Sequence, residues 1–399
     1  MNKKKILFLM PSMFIGGAER SLLGLLDSID CGKYDVDLFL YRHEGEFLSY
    51  IPDKINLLPA DPKYATFDVP ISSLLKSRFF LFGLARIWGK LVLAVKERFN
   101  KHISGVWPAM QYTSRSLLPF LPKIRGHYDA AVSFLGIPDV LLKKVDAAHK
   151  IAWNHTDYTV LCPDKAYDRK LYRQLDYVAS VSDRCREQFL SVYPDLADKA
   201  VTVQNLLSEG LLRRQAAETV TDMPRRDGES VLLSVGRFCE AKNFDTVPMI
   251  CKALLERGCA VQWYLIGFGG DEALIRQQIA ETGMEDHVII LGKRENPYPY
   301  IAGCDLYVQP SRYEGKCVSV IEAQILNKPV VITRYQTAQN QLADGVDGVI
   351  VPMDVDGCAD GIAALLHDPD RQRMLSENTK TRDYTNCAEL DKLLGLLGI

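Results

Sequence analysis

Short apolar or β-branched runs alternate along this chain with longer amphipathic segments, and that alternation leaves few folds open to it. ILFLM (6–10) precedes the helical segment ERSLLGLLDSI, and VDLFLY (36–41) follows it. A strand, a crossover helix and a second strand in that order read as a βαβ unit, whose strands pair in parallel. YDAAVSFLG, KIAWNH and YVASVSD continue the series, each ending in small or polar residues where a loop opens. The pattern then restarts with SVLLSVGRF, AVQWYLIGFGG, VIILGK, DLYVQPS and PVVITRY. At 399 residues the chain exceeds what one hydrophobic core usually supports, so two α/β domains are predicted. The expected boundaries are a first domain over 1–206, a polar, strand-poor linker over 207–229, a second domain over 230–375 and a helical tail over 376–399.

Composition narrows the class. Forty-eight basic and 50 acidic residues give a net charge of −2, which argues against nucleic-acid binding across the whole molecule. The ten cysteines are scattered and show no zinc or redox spacing, and the histidines show no ligand pairing, so free thiols, a reducing compartment and no metal site are expected. Three lysines precede an apolar run at the N-terminus, but Pro11 cuts that run at five residues, and a strand-to-helix turn is expected there instead of a signal peptide.

One region departs from the alternation. Residues 76–101 carry seven Lys or Arg (76, 78, 86, 90, 96, 98, 101) against the single acid Glu97, within a helical insertion near 70–125. On a helical wheel Arg86, Lys90, Glu97 and Lys101 share a narrow polar stripe, leaving a wide apolar arc of Phe80, Leu84, Trp88, Leu91 and Val95. Two readings stand side by side: the arc lies on an anionic membrane surface, or it packs on the first sheet with the basic residues solvated.

The candidate site residues sit where strands end. EGKCVSVIE (314–322) places Glu314 in a loop after DLYVQPS and Glu322 one turn inside a crossover helix. Backbone N–H groups at a helix start favour an anion. Taken alone, Glu314 before the helix reads as a cap and Glu322 one turn in as a solvated acid. SVGRFCEAK puts Arg237 and Lys242 at the same sheet edge, where a planar fork and a point charge suit a diphosphate. Gly16 and Gly17 follow the first strand, and Gly267, Gly269 and Gly270 follow YLI; neither run completes a dinucleotide fingerprint. His155 closes KIAWNH at a strand end, where it is either structural or a hydrogen-bonding group of the site.

Together GGAE (16–19), the histidine in WNHTD, GRFCEAKN (236–243), IGFGG (266–270) and EGKCVSVIEA (314–323) resemble the retaining glycosyltransferases of family 4, also grouped as glycosyl transferases group 1. The resemblance covers most of the chain. It implies the GT-B fold: two Rossmann-like, doubly wound parallel-sheet domains facing a central cleft. It casts His155, Glu314, Arg237 and Lys242 as catalytic. Glu314 would meet the transferred sugar and Glu322 the ribose. Gly16, Gly17, Gly267, Gly315, Lys316, Cys317 and Val318 would complete the donor site. It further implies metal-independent hexosyl transfer without a cofactor, from a nucleoside-diphosphate sugar, UDP ahead of GDP, to a glycan or lipid-linked acceptor in surface polysaccharide synthesis. The expected setting is cytoplasmic, with peripheral attachment to the inner membrane face. Lys316 departs from the aromatic or aliphatic residue of many relatives, and the basic insertion is longer than a minimal first domain needs. A nucleotide-sugar epimerase on the same fold and a non-catalytic nucleotide-sugar-binding protein are the competing readings.

Overall fold

The computed structural model describes residues 3–314 and 317–398. The expectations for Gly315 and Lys316 lie outside those residues. The chain divides into two compact units, the first comprising residues 1–206 and 386–399 and the second residues 207–385.

The first unit is built on seven strands: β1 (Lys4–Met10), β2 (Tyr34–Leu40), β3 (Asn56–Leu57), β4 (His127–Ser133), β5 (Asp146–Asn154), β6 (Tyr177–Ser180) and β7 (Ala200–Thr202). They run in the order β3-β2-β1-β4-β5-β6-β7, with every described pair parallel. Residues 6–10 of β1 are all buried, as a strand covered on both faces requires. The order reverses between β1 and β4, so the crevice at their carboxyl ends is a topological switch point.

Six further strands make the second unit: β8 (Ser230–Val235), β9 (Val261–Ile266), β10 (Val288–Gly292), β11 (Leu306–Gln309), β12 (Val330–Thr333) and β13 (Val349–Val351). Their order, β10-β9-β8-β11-β12-β13, is again parallel and reverses between β8 and β11. Both sheets are therefore doubly wound, as the alternation predicts.

Two boundaries differ from the sequence expectation. Residues 207–229 carry a helix, Glu209–Ala216, and Leu207, Leu212 and Met223 are buried in the second unit's core with Tyr264 and Tyr298. A polar composition hid three apolar anchors. At the other end, the chain returns to the first unit: Gln204 N–H donates to Glu389 Oε2 at 2.9 Å, and Asn386 Nδ2 donates to Asn205 O at 3.0 Å.

The insertion forms α2 (Ile71–Leu75), α3 (Phe80–Phe99) and α4 (Val106–Leu117), which follow α1 (Gly17–Ser28) in the first unit. Buried carboxylates fix α4 to the unit's core. Ser114 Oγ donates to Asp139 Oδ1 at 2.7 Å, Tyr112 OH to Asp164 Oδ2 at 2.6 Å, and Gln111 Nε2 to Asp168 Oδ1 at 2.5 Å. Burial pushes the Asp139 carboxyl up to about 6 and Asp168 up to about 7, against the pull of these donors.

Candidate active site

In the second unit the loops after β8 and β11, neighbours at the switch point, are sewn together. Arg312 forms a bidentate pair with Asp245 at 3.0 and 2.7 Å, and its N–H donates to Ala241 O at 2.8 Å. Asn243, in the left-handed region at φ +59°, donates from Nδ2 to Pro310 O at 2.9 Å. These contacts bring Lys242 to Glu314, with Nζ 2.6 Å from Oε1. The same ammonium lies 3.5 Å from Cys317 Sγ, and Ser311 Oγ donates to Glu314 Oε1 at 2.7 Å.

Burial alone would depress the Lys242 ammonium, but Cys317 and Glu314 outweigh it and hold its pKa above the ordinary lysine value. An ammonium has three hydrogens to donate. Glu314 and Cys317 take two, which leaves one for a ligand oxygen. Arg237 is exposed and has no hydrogen-bond or ion-pair partner among the described residues. The two cations of the sequence motif thus differ, one held in a half-buried pair and the other open.

Glycines settle how close the neighbouring turn can come. A Cβ on Gly267, at φ +155°, would lie 1.8 Å from Gly236 O, and one on Gly269 would lie 2.1 Å from Phe238 O. The IGFGG turn therefore supports the backbone that carries Arg237. Phe238 N–H donates to Phe268 O at 2.9 Å and Asp271 N–H to Phe238 O at 3.2 Å, closing the contact.

Glu322 is 1% exposed, inside the helix Val318–Ile325, and accepts a hydrogen bond from Tyr298 OH at 2.8 Å. Val318 opens that helix and is partly exposed. Cys317 is buried, and its N–H donates to Gln341 Oε1 at 2.8 Å while Gln341 Nε2 donates to Cys317 O at 3.3 Å. Thr337 Oγ1 donates to Glu314 O at 2.7 Å. Sequence reading missed Ser311, Thr337 and Gln341. Ser311 lies in the same strand-end loop as Glu314 and was within reach of a sequence argument; the other two come from beyond the next strand, with no motif to mark them.

In the first unit Gly16 is the N-cap of α1 and Gly17 its first residue. The Glu19 carboxylate folds back over Gly16, where a Cβ would lie 2.2 Å from Oε2. Burial raises the pKa of Glu19. Gly45, at φ +114°, lets the 43–47 turn approach Met13: Met13 N–H donates to Glu44 O at 2.8 Å and Phe47 N–H to Met13 O at 2.9 Å. The loop after β1 is thereby fixed.

His155 follows β5 and sits among aromatic rings, 5.0 Å from Phe134 and 6.3 Å from Trp153 by centroid, the latter nearly parallel. Burial lowers its pKa to about 4, opposed by a hydrogen bond to the Phe134 backbone. The ring is neutral near pH 7. Its Nε2 is buried without a partner among the described residues. With the other nitrogen donating to a carbonyl, Nε2 presents a lone pair, suited to accept from a hydroxyl.

Asp37 pairs with Lys5 Nζ at 3.1 Å, and Asp354 caps a helix by accepting from Gly357 N–H at 2.8 Å. Among the described residues no group of three His, Cys, Asp or Glu side chains is placed to hold a metal ion.

Two doubly wound parallel sheets in one chain, with a cation loop and a carboxylate loop at the second sheet's switch point, form the GT-B architecture of glycosyltransferases. Residues 218–382, within the second unit, match the family described as Glycosyl transferases group 1. It is 23% identical over 331 residues to an alpha-D-kanosaminyltransferase of Streptomyces kanamyceticus, covering 79% of this chain and 83% of that one. It is 27% identical to the lipopolysaccharide core biosynthesis glycosyltransferase LpsE of Rhizobium meliloti, over 46% of this chain and 52% of its relative. The crystal structure of HepE from Anabaena in complex with UDP shares the fold, with a TM-score of 0.57 and 18% identity over 98% of both chains.

Proposed function

We propose that the chain is a retaining, metal-independent hexosyltransferase that moves a sugar from a nucleoside-diphosphate sugar, UDP ahead of GDP, to a glycan or lipid-linked acceptor of a surface polysaccharide. The observation that carries this reading is the half-buried Lys242–Glu314 pair, joined across the loops after β8 and β11 at the second sheet's switch point, with exposed Arg237 on the first of those loops. Breaking a sugar–phosphate bond leaves positive charge on the ring and negative charge on the departing diphosphate. Fixed cations stabilise that charge without reorganising at the moment of reaction. Arg237 supplies the planar fork for phosphate oxygens, and Lys242 the point charge.

Glu314, held by Lys242, Ser311 and Thr337, accepts hydroxyl hydrogens of the transferred sugar. Glu322 serves the ribose. His155, neutral and with Nε2 unpartnered among the described residues, accepts from a hydroxyl of the acceptor. Gly267 and the backbone of Cys317 and Val318 complete the donor contacts of the second unit. The acceptor hydroxyl attacks the anomeric carbon on the face the phosphate leaves, and its proton passes to the departing phosphate oxygen. The UDP in the HepE complex and the polysaccharide setting of LpsE support the donor and the pathway class. Such a donor sets the reaction in the cytoplasm.

Thermal melting against UDP-, GDP- and ADP-sugars tests the donor, because a ligand bound only by the folded state raises the melting temperature. Proton NMR of the product then reads the anomeric configuration. A shift with one nucleotide class and a product that keeps the donor's configuration supports the proposal; an inverted linkage, or no shift with any nucleotide sugar, overturns it.

A further inference from the structure

The α3 helix presents its large apolar side chains to solvent. Trp88 is 65% exposed and Phe99 84%, and Phe80, Leu84, Leu91 and Val95 are each about half exposed. At about 100° per residue these six positions fall on one stripe of the helix. The buried positions Phe82, Gly89 and Leu93 fall on the opposite side, and Gly83 on one flank.

The inward face is made of glycines at its closest contacts. A Cβ on Gly89 would lie 2.7 Å from Tyr112 O and 2.9 Å from Ser116 Oγ in α4, and one on Gly83 would lie 2.9 Å from Leu75 Cδ2. The α4 helix is in turn held by the Asp139, Asp164 and Asp168 hydrogen bonds to Ser114, Tyr112 and Gln111. The apolar stripe is thus turned outward by close packing behind it, so the reading in which the arc packs on the sheet does not hold. Arg86 does not belong to a solvated stripe either: its guanidinium donates to Thr66 O at 3.0 Å and to Val69 O, and burial lowers its pKa.

Arg98 is exposed at the edge of the stripe, Lys90 and, just past the helix end, Lys101 are exposed toward the flank beside that edge, and Glu97 is the one acid between 76 and 101. No helix among the described residues is long and apolar enough to cross a membrane. An exposed aromatic and aliphatic stripe set beside cations is the pattern of a helix that lies in the plane of an anionic bilayer. We propose that the outward face of α3 docks this protein on an anionic lipid surface, with the six apolar side chains inserted at headgroup depth and Lys90, Arg98 and Lys101 against lipid phosphates. The proposal does not depend on the identity of the sugar donor.

Co-sedimentation of the full chain with vesicles of phosphatidylcholine, alone or mixed with phosphatidylglycerol, tests it. Wild type is expected to pellet with the mixed vesicles and little with phosphatidylcholine, and Trp emission is expected to shift to the blue on binding. Trp88→Ser/Leu91→Ser/Val95→Ser alters exposed positions alone and is expected to weaken binding at least about tenfold, as loss of the inserted apolar area requires. Lys90→Glu/Arg98→Glu/Lys101→Glu is expected to remove the preference for anionic vesicles. Nucleotide-induced thermal shifts should be unchanged in both variants, which separates failure of docking from failure of the donor site. Equal partitioning of wild type and the serine variant, no binding of wild type to either vesicle, or a dimer that the serine variant abolishes without vesicle binding would each overturn the proposal.

Discussion

The two units treat their polar site groups in opposite ways. In the second unit Lys242, Glu314, Ser311 and Cys317 hydrogen-bond one another before any ligand arrives. In the first, His155 carries a buried nitrogen with no partner among the described residues and stays neutral. Under the proposed roles, the difference follows from the charge each would meet. A departing diphosphate needs formal positive charge, and a buried cation persists only beside a carboxylate. A hydroxyl needs only a lone pair, which a desolvated imidazole supplies.

The comparison can be broken most severely at Lys242. Lys242→Met is expected to lower kcat/KM for transfer by about 10²–10³-fold, the usual cost of losing one preorganised charge at a leaving group. Steady-state assays of nucleoside diphosphate release measure this, and a loss under about threefold would remove Lys242 from the site. Glu322→Gln keeps a side chain of the same shape on Tyr298 OH and removes a charge. It is expected to raise the donor KM about tenfold with a smaller change in kcat, as loss of a ribose contact would.

His155 sharpens the other half. The folded-state pKa of about 4 lies below the ordinary value of 6.5, so the unfolded chain binds the proton more readily. Its contribution to stability is complete above about pH 6.5 and is lost as pH falls toward 4, by about 3 kcal/mol in all. Raised Asp139 and Asp168 carboxyls act in the reverse sense over much of the same range, so the effect is read as a difference between wild type and His155→Gln. Urea unfolding at pH 7.5 and 4.5 should show the variant losing less stability than wild type; parallel losses would mean that the histidine is solvated. The smallest effect on chemistry is expected at Gly267→Ala. Its Cβ meets the Gly236 carbonyl, so a cost of about 2 kcal/mol in stability is expected, with donor affinity reduced through the displaced Arg237 loop.

The parallel sheets were legible in the sequence because strands buried on both faces are continuous apolar runs, as ILFLM and VDLFLY are. β3, β7 and β13 were not, being two or three residues long. At the candidate site, Arg237, Lys242 and Glu314 were proposed because strand-end loops carry them, and the fold does bring Lys242 and Glu314 together. Gln341 could not, since its grip on the Cys317 backbone depends on a crossover that no local pattern encodes. The wheel of α3 gave the apolar arc correctly and left its direction open. Gly83 and Gly89 decided it, through how closely α2 and α4 approach.

The central claim is that Lys242 holds the donor's diphosphate, and calorimetric titration with UDP and UMP, repeated with GDP and GMP, tests it without knowledge of the acceptor. Wild type is expected to bind one diphosphate at least about tenfold more tightly than its monophosphate, and Lys242→Met to lose most of that difference while still binding the monophosphate. An unchanged ratio in a folded Lys242→Met protein would contradict the account.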